Sequence, residues 1–201
     1  MNHKLGIPDS EFIRGDIPMT KQEIRILTLA KAGIGAADTV IDIGAGTGSL
    51  SVEAALLASR GQVIAIEREP EGVALIRANA AKFQAVNVEA ILGAAPAALD
   101  GLPAADVILI GGSGGRLSEI LERADRLLKP GGRMIITAVT VETVAAALGS
   151  MRQRPEYQVE ACCVQVTRLQ QAGASNMFKA LNPIYIIACG KKAQLLQNGQ
   201  L

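Results

Sequence analysis

Aromatic side chains are scarce in this 201-residue chain. They make up 2% of it, tryptophan is absent, and a site built on stacking has only Phe12, Phe83, Tyr157, Phe178 and Tyr185 to draw on. Recognition of single-stranded RNA depends heavily on stacking bases against such rings, so the shortage counts against an RNA partner. A surplus of charge is missing as well: 20 basic residues face 19 acidic ones, for a net charge of +1. A broad basic surface for nucleic acid is therefore not expected. No apolar run approaches the roughly 18 residues of a membrane span, and the N-terminus has no signal-like apolar stretch. No membrane partner is expected, and the expected location is the cytoplasm. The three cysteines, two of them adjacent at Cys162 and Cys163, form neither a disulfide framework nor a metal-ligand set. Neighbours on a strand face opposite ways, and both are read as small buried apolar groups. The single histidine, His3, stands in a terminus expected to fray, which argues against a catalytic role.

What is abundant is ordinary globular material, with 49% hydrophobic and 19% charged residues, enough for one domain (1–201) with a substantial core. The most informative stretch is Val40-Ile41-Asp42-Ile43-Gly44-Ala45-Gly46-Thr47-Gly48. A short β-branched run ends in an acid, and three alternate glycines lead into the helix-forming Ser49 to Ala55. That is strand, tight turn and helix. Glycine accepts positive φ and lacks Cβ, so a ligand can lie against bare backbone beside the first helical turn. A dinucleotide fingerprint wants its third glycine, or an alanine, three places after the second, and here Ser49 occupies that place. The spacing acid-x-Gly-x-Gly-x-Gly resembles instead the first motif of the Rossmann-like S-adenosylmethionine (SAM) methyltransferases. The resemblance implies that Asp42 faces the ammonium of the methionine moiety and that Gly44, Ala45, Gly46, Thr47 and Gly48 pass under the adenosine. Glu67 ends the next apolar run, Gln62 to Ile66, and a carboxylate at a second strand tip is placed to accept both ribose hydroxyls.

Apolar strand-like runs alternate with helical segments from Thr39 onward, the pattern of βαβ units around a parallel sheet. Strands are expected at 39–43, 62–66, 88–92, 105–110, 133–138, 157–166 and 184–190. Helices are expected at 48–60, 70–83, 116–129 and 140–153, with one helical turn at 94–99. Thr20-Lys21-Gln22-Glu23 reads as a capping box, with Thr20 as N-cap of a helix that runs to a C-cap at Gly33. Lys129-Pro130-Gly131-Gly132 ends one helix and starts a strand. Residues 1–19 are irregular and are expected to cover substrate or cofactor, and the polar tail 191–201 is expected to fray. The fold class expected is α/β: a Rossmann-like SAM methyltransferase fold whose seven-stranded, mostly parallel sheet has helices on both faces and an antiparallel last strand.

Ligands of open α/β sheets sit at the carboxyl ends of the strands. Those ends carry Asp42 to Gly48, Glu67 with Arg68, Gly93-Ala94-Ala95, Gly111 to Gly115, and Thr137 to Thr140. Methyltransferases of this type commonly hold the adenine amino group with a polar side chain after the third strand. Here only backbone near Ala94 and Ala95 is available. The fourth strand ends in Ile110-Gly111-Gly112-Ser113-Gly114-Gly115-Arg116, without the Asn/Asp-Pro-Pro-aromatic loop of amino-group methyltransferases. Such a loop makes room for a bulky molecule and offers N–H groups to its carboxylates. Asn182-Pro183-Ile184-Tyr185 looks like the missing motif, but it opens the last strand and is read as structural.

Together with Gly6-Ile7-Pro8-Asp9, the stretch Phe12 to Lys21, Asp42 to Ser49 and Met177 to Pro183, the Ile110 to Gly115 loop resembles the decarboxylating precorrin methyltransferases of cobalamin biosynthesis. Members of that family methylate C15 of the corrin precursor, named cobalt-precorrin-6B in its cobalt-bearing form, and remove the carboxyl of its C12 acetate. The resemblance implies a tetrapyrrole substrate, a homotetramer, and a separate C5 methyltransferase in the same pathway. No catalytic side chain is singled out, because an electron-rich meso carbon attacks a sulfonium methyl unaided once it is placed in line and kept dry. Arg14, Lys21, Arg116, Arg168 and Lys179, with Ser113, are the candidates for holding the substrate, since cations pair with its many carboxylates. Thr20 is placed to bring backbone near the methionine end of the cofactor. An RNA or protein methyltransferase of the same fold is the alternative.

Overall fold

The computed structural model describes residues 5–193; His3 and positions 194–201 of the tail lie outside the described residues. The chain builds five α-helices: α1 (Gln22–Ala32), α2 (Ser49–Leu57), α3 (Pro70–Lys82), α4 (Leu117–Leu127) and α5 (Val141–Arg152). It also builds nine strands: β1 (Thr39–Ile43), β2 (Gln62–Glu67), β3 (Val88–Leu92), β4 (Ala105–Ile110), β5 (Leu128–Ala138), β6 (Tyr157–Val164), β7 (Thr167–Ala172), β8 (Ser175–Ala180) and β9 (Ile184–Lys191). Seven of them form one sheet in the order β3-β2-β1-β4-β5-β9-β6, and the strand order reverses beside β1. β1 pairs in parallel with β2 and β4, whereas β9 runs antiparallel between β5 and β6. This is the Rossmann-like methyltransferase architecture expected from the sequence.

Strand residues alternate between two cores. Ile41, Ile43, Ile64, Ile66, Ile108 and Ile110 face α4 and α5, where they meet Ile120, Leu121 and Met151. Val40, Val63, Val107, Leu109 and Ile135 face α1 and α2 and pack on Leu29, Leu50 and Val52. Buried on both faces, these strands read as continuous β-branched runs and not as alternating ones. A fully buried Ile or Leu contributes about 1.5–3 kcal/mol relative to exposure, so the central strands anchor the loops at their carboxyl ends.

Several sequence expectations are corrected. Thr20 does not cap α1. The N-cap is Lys21, without a side-chain bond, and the first helical N–H, that of Gln22, donates to Asp9 Oδ1 at 2.9 Å. The expected partner Glu23 pairs instead with Arg168 at 2.6 Å. The capping group thus comes from a segment 13 positions away. Gly33 does end the helix, in the left-handed conformation and with its N–H on Leu29 O. β5 begins at Leu128, ahead of the expected 133, because Leu128 pairs with Ala105 before a bulge resets the register at Val107 and Arg133. Cys163 is exposed and Cys162 half-buried, since β6 is an edge strand; only Cys189 is buried. The hairpin of β7 and β8 was not expected at all. It turns at Gly173 (φ 61°) and pairs Leu169 with Phe178 and Arg168 with Lys179. Among the described residues no helix is long and apolar enough to cross a membrane, and no cluster of His, Cys, Asp and Glu could hold a metal ion.

Candidate active site

At the reversal of strand order, β1 hands over to the loop Gly44–Gly48, in which all three glycines have positive φ. Each also allows a close approach. A Cβ on Gly44 would stand 2.7 Å from the backbone of Gly112, one on Gly46 would stand 2.8 Å from Pro18 O, and one on Gly48 would stand 2.9 Å from Ile76 Cα. The glycine loop is therefore pressed between the loop after β4, the N-terminal segment and α3. It is tied down by Gly44 N and Ala45 N, both donating to Ile66 O, while Gly111 N donates to Ile43 O on the other side.

Glu67 sits at the tip of β2 and is 7% exposed. Its Oε2 accepts the N–H of Gly46 at 2.8 Å, and its Oε1 accepts those of Arg68 and Glu69 at 2.8 and 3.0 Å. Backbone donors fix the carboxylate in place. With about four lone-pair sites on its two oxygens it retains capacity for hydroxyl donors from the cleft.

A cleft of about 770 Å³ opens over these groups, toward the upper end of small-molecule sites. Thr20, Lys21, Gly44, Ala45, Gly46, Glu67, Arg68, Ala94, Ala95, Ser113 and Arg116 all border it, so the structure brings together eleven of the expected site residues. Asp42, Thr47, Gly48, Arg14, Arg168 and Lys179 do not border it. Thr47 and Gly48, the last two residues of the loop, are buried, and Arg14 is exposed on the N-terminal segment. Lys179 is exposed on β8, and Arg168 is committed to Glu23 and Asp9. Of the charged groups that do line the cleft, Arg68 pairs with Glu69 and Arg116 with Glu119, both in solvent. Such exposed pairs are worth about 0–1 kcal/mol, so their guanidinium groups remain available to incoming carboxylates.

Asn182 was set aside as structural by sequence, yet it borders the cleft together with Leu181, Val166 and Ile184. The return from the hairpin brings this stretch back beside Thr137 and Val139 of β5 and its following loop, a placement that depends on the unforeseen β7 and β8. The Asn-Pro dipeptide was the available signal, and its position after the sixth sheet strand concealed its destination.

Asp42 lies behind the loop at 1% exposure, where its carboxylate accepts the Ser51 hydroxyl near the start of α2. Burial is the main cause that pushes its pKa up to about 6, with the negative charge of Glu67 adding and the Ser51 bond opposing. A carboxyl raised in this way takes up a proton in the folded state first. Its penalty is fully present above pH 6 and is relieved as the pH falls from about 6 toward 4. Asp42→Asn is therefore expected to stabilise the protein by about 1–2 kcal/mol near neutral pH and to flatten the pH dependence below it. Urea unfolding of both proteins near neutral pH and below pH 5 checks this, and equal stability differences at the two pH values would refute it.

The doubly wound sheet, the glycine turn and the strand-tip acid define a Rossmann-like methyltransferase. A family model described as precorrin methyltransferase domain matches residues 11–191, and the chain belongs to that family. It is 38% identical, over 92% of its own length and 95% of the relative's, to a Salmonella typhimurium protein named cobalt-precorrin-6B C(15)-methyltransferase (decarboxylating). It is 44% identical, over 90% of its length and 95% of the relative's, to a Sulfurisphaera tokodaii protein named as a probable enzyme of the same kind. A crystal structure of precorrin-6y C5,15-methyltransferase from Geobacter metallireducens superposes with a TM-score of 0.88 at 40% identity, covering 94% of this chain and 98% of that one.

Proposed function

We propose that the protein is a single-domain, SAM-dependent C-methyltransferase that methylates C15 of cobalt-precorrin-6B or its metal-free counterpart and removes the carboxyl of the C12 acetate as CO2. The observation that carries this is the convergence in one cleft of the glycine loop, Glu67 and the bare Gly111–Gly115 turn. Bound there, SAM supplies an electrophilic sulfonium methyl. Glu67 takes the ribose hydroxyls, the backbone at Ala94 and Ala95 meets the adenine, and the Thr20 and Lys21 backbone closes the methionine end. Asp42 works from behind, by holding the start of α2. Lys21 and Arg116 meet substrate carboxylates at the mouth, where Ser113 and Asn182 add hydrogen bonds, and Arg68 stays beside Glu67 on the cofactor side. Arg14 and Lys179, further out, draw the polyanion in.

No base is required for the first step. The meso carbon is electron-rich through its pyrrole neighbours, so the protein's contribution is in-line placement and exclusion of water. Apolar cleft residues such as Ile17, Ile110, Val139 and Leu181 supply the dry surroundings that favour loss of CO2 from the acetate. The electron pair left behind neutralises the ring cation that methylation creates, and proton shifts that take up one proton for each one released complete the product. Mass spectrometry of protein incubated with SAM and a precorrin pool is expected to show a gain of one methyl with loss of CO2. Methylation with the acetate retained would refute the decarboxylation.

The same reading places the enzyme in the cytoplasm, beside a separate C5 methyltransferase, as a homotetramer. The β7–β8 hairpin supports the last point. Its cross-strand partners Leu169 and Phe178 share one face and are 61% and 79% exposed, and an exposed apolar pair of that kind suits an association face.

A further inference from the structure

The segment from Leu5 to Lys21 contains only a three-residue helical turn, Asp9–Glu11, yet it is held along its whole length. Glu53 of α2, itself 0% exposed, accepts Gly6 N and Ile7 N at 2.8 and 3.1 Å. Arg25 of α1, also 0% exposed, gives its guanidinium N–H groups to Ile7 O, Asp9 and Thr20 O. From α3, Lys82 donates to Glu11 O and Glu71 accepts Asp16 N at 3.0 Å. The segment is a strap across α1, α2 and α3, and its last stretch, Ile17–Lys21, becomes a wall of the cleft.

One anchor differs from the rest. Asn79 of α3 is 0% exposed and does not border the cleft. Its Oδ1 accepts Ile13 N at 2.7 Å, and its Nδ2 donates to Ile13 O at 3.0 Å and to Thr47 O at 2.9 Å. One side chain thus joins the strap to the glycine loop, with no other link between Ile13 and Thr47 given by the described residues. Pro18 O then lies 2.8 Å from where a Gly46 Cβ would be, so strap and loop are in direct contact. Thr20 of the strap and Gly46 of the loop both border the cleft, so the separation of strap and loop is the separation of two of its walls.

We propose that Asn79 is a positioning residue for the methyl-donor site, the group that holds the glycine loop and the N-terminal strap at the separation the cofactor requires. The proposal rests on the reading of this cleft as the SAM site. The amide is suited to the task because it pairs with one N–H and two C=O groups at once, which neither a carboxylate nor a hydroxyl does with the same geometry. Removing it frees two backbone carbonyls and an N–H that must find water, and the tie between Ile13 of the strap and Thr47 of the loop is lost.

The test compares wild type with Asn79→Ala for SAM affinity by titration calorimetry and for kcat at saturating SAM. The expected result is SAM binding weakened tenfold or more, with kcat at saturation within threefold of wild type. A role confined to stability would lower Tm and leave SAM affinity within twofold, and that result overturns the proposal. Should Asn79→Ala fail to fold, Asn79→Asp keeps the acceptor for the Ile13 N–H and loses the donor to Thr47 O. That variant is expected to weaken SAM at least threefold, and unchanged affinity there would likewise overturn the proposal. Absence of SAM binding by the wild type itself would strike the cofactor reading and is distinguished from both.

Discussion

Arg25→Ala is expected to be the most destabilising substitution in the protein, with a loss of about 3–5 kcal/mol in urea unfolding. The guanidinium is 0% exposed and pairs with Glu53, which is also 0% exposed, at 2.8 Å. It pairs with Asp9 at 2.8 Å, and its Cζ lies 4.7 Å from the centre of the Phe12 ring. Removing one member of a buried pair strands the other in a medium that solvates it poorly. Burial works to raise the Asp9 pKa, but the Arg25 bond and charge, helped by Arg168, outweigh it and hold the carboxyl below its usual range. Arg25→Lys is expected to recover less than half of the loss. One ammonium cannot reach Glu53, Asp9 and two backbone carbonyls that a planar fork meets together. A loss under about 1 kcal/mol for the alanine variant would show that the network contributes little beyond a surface pair.

Arg25 also marks where the sequence stopped being informative. It stands with Ile24, Thr28, Leu29 and Ala32 on the buried side of α1, in a helical pattern. A single arginine in such a pattern reads as solvated, because its acceptors stand at Ile7, Asp9 and Glu53, on segments whose proximity only the fold creates. The same holds for Asn79, whose partners lie 32 and 66 positions away. By contrast, the central strands β1, β2 and β4 were legible because each is a short, largely β-branched run bounded by turn residues, and doubly buried strands leave no other use for such a run.

The glycine-loop side of the cleft, proposed to take the cofactor, was legible for a related reason. Gly44, Gly46 and Gly48 act through backbone geometry, which spacing reveals directly, and Glu67 follows from its place at the next strand tip. The substrate side was less so. Arg168 and Lys179 were candidates on charge alone, and both belong to a hairpin whose residues are largely exposed and lack an alternating pattern. Without the hairpin, Arg168 could not be seen to brace the strap through Glu23 and Asp9, nor Asn182 to return to the cleft. Electrostatic role was thus set by chain path and not by residue type. A cation already satisfied by two carboxylates is a strut, whereas Lys21 and Arg116 border the cleft.

Glu67→Gln is expected to have the largest effect on ligand binding, weakening SAM by about 10- to 100-fold, which corresponds to about 1.5–3 kcal/mol for bonds to a charged acceptor. The size follows from a double loss. In the native protein both carboxylate oxygens are already acceptors, toward Gly46 on one side and Arg68 and Glu69 on the other. A glutamine has one oxygen and one NH2 group, so one orientation sets the amide against the Gly46 N–H and the other against the N–H groups of Arg68 and Glu69. Either way a donor meets a donor, the glycine loop loses its tie or the turn before α3 does, and one ribose hydroxyl loses its acceptor. The effect should fall on binding, because the ribose is remote from the methyl group and its contacts are the same before and during transfer. SAM dissociation constants by calorimetry, with kcat at saturating SAM, separate the two. Binding within threefold of wild type would remove Glu67 from the cofactor site, and a selective fall in kcat would place it at the reacting end of the cleft, next to the substrate.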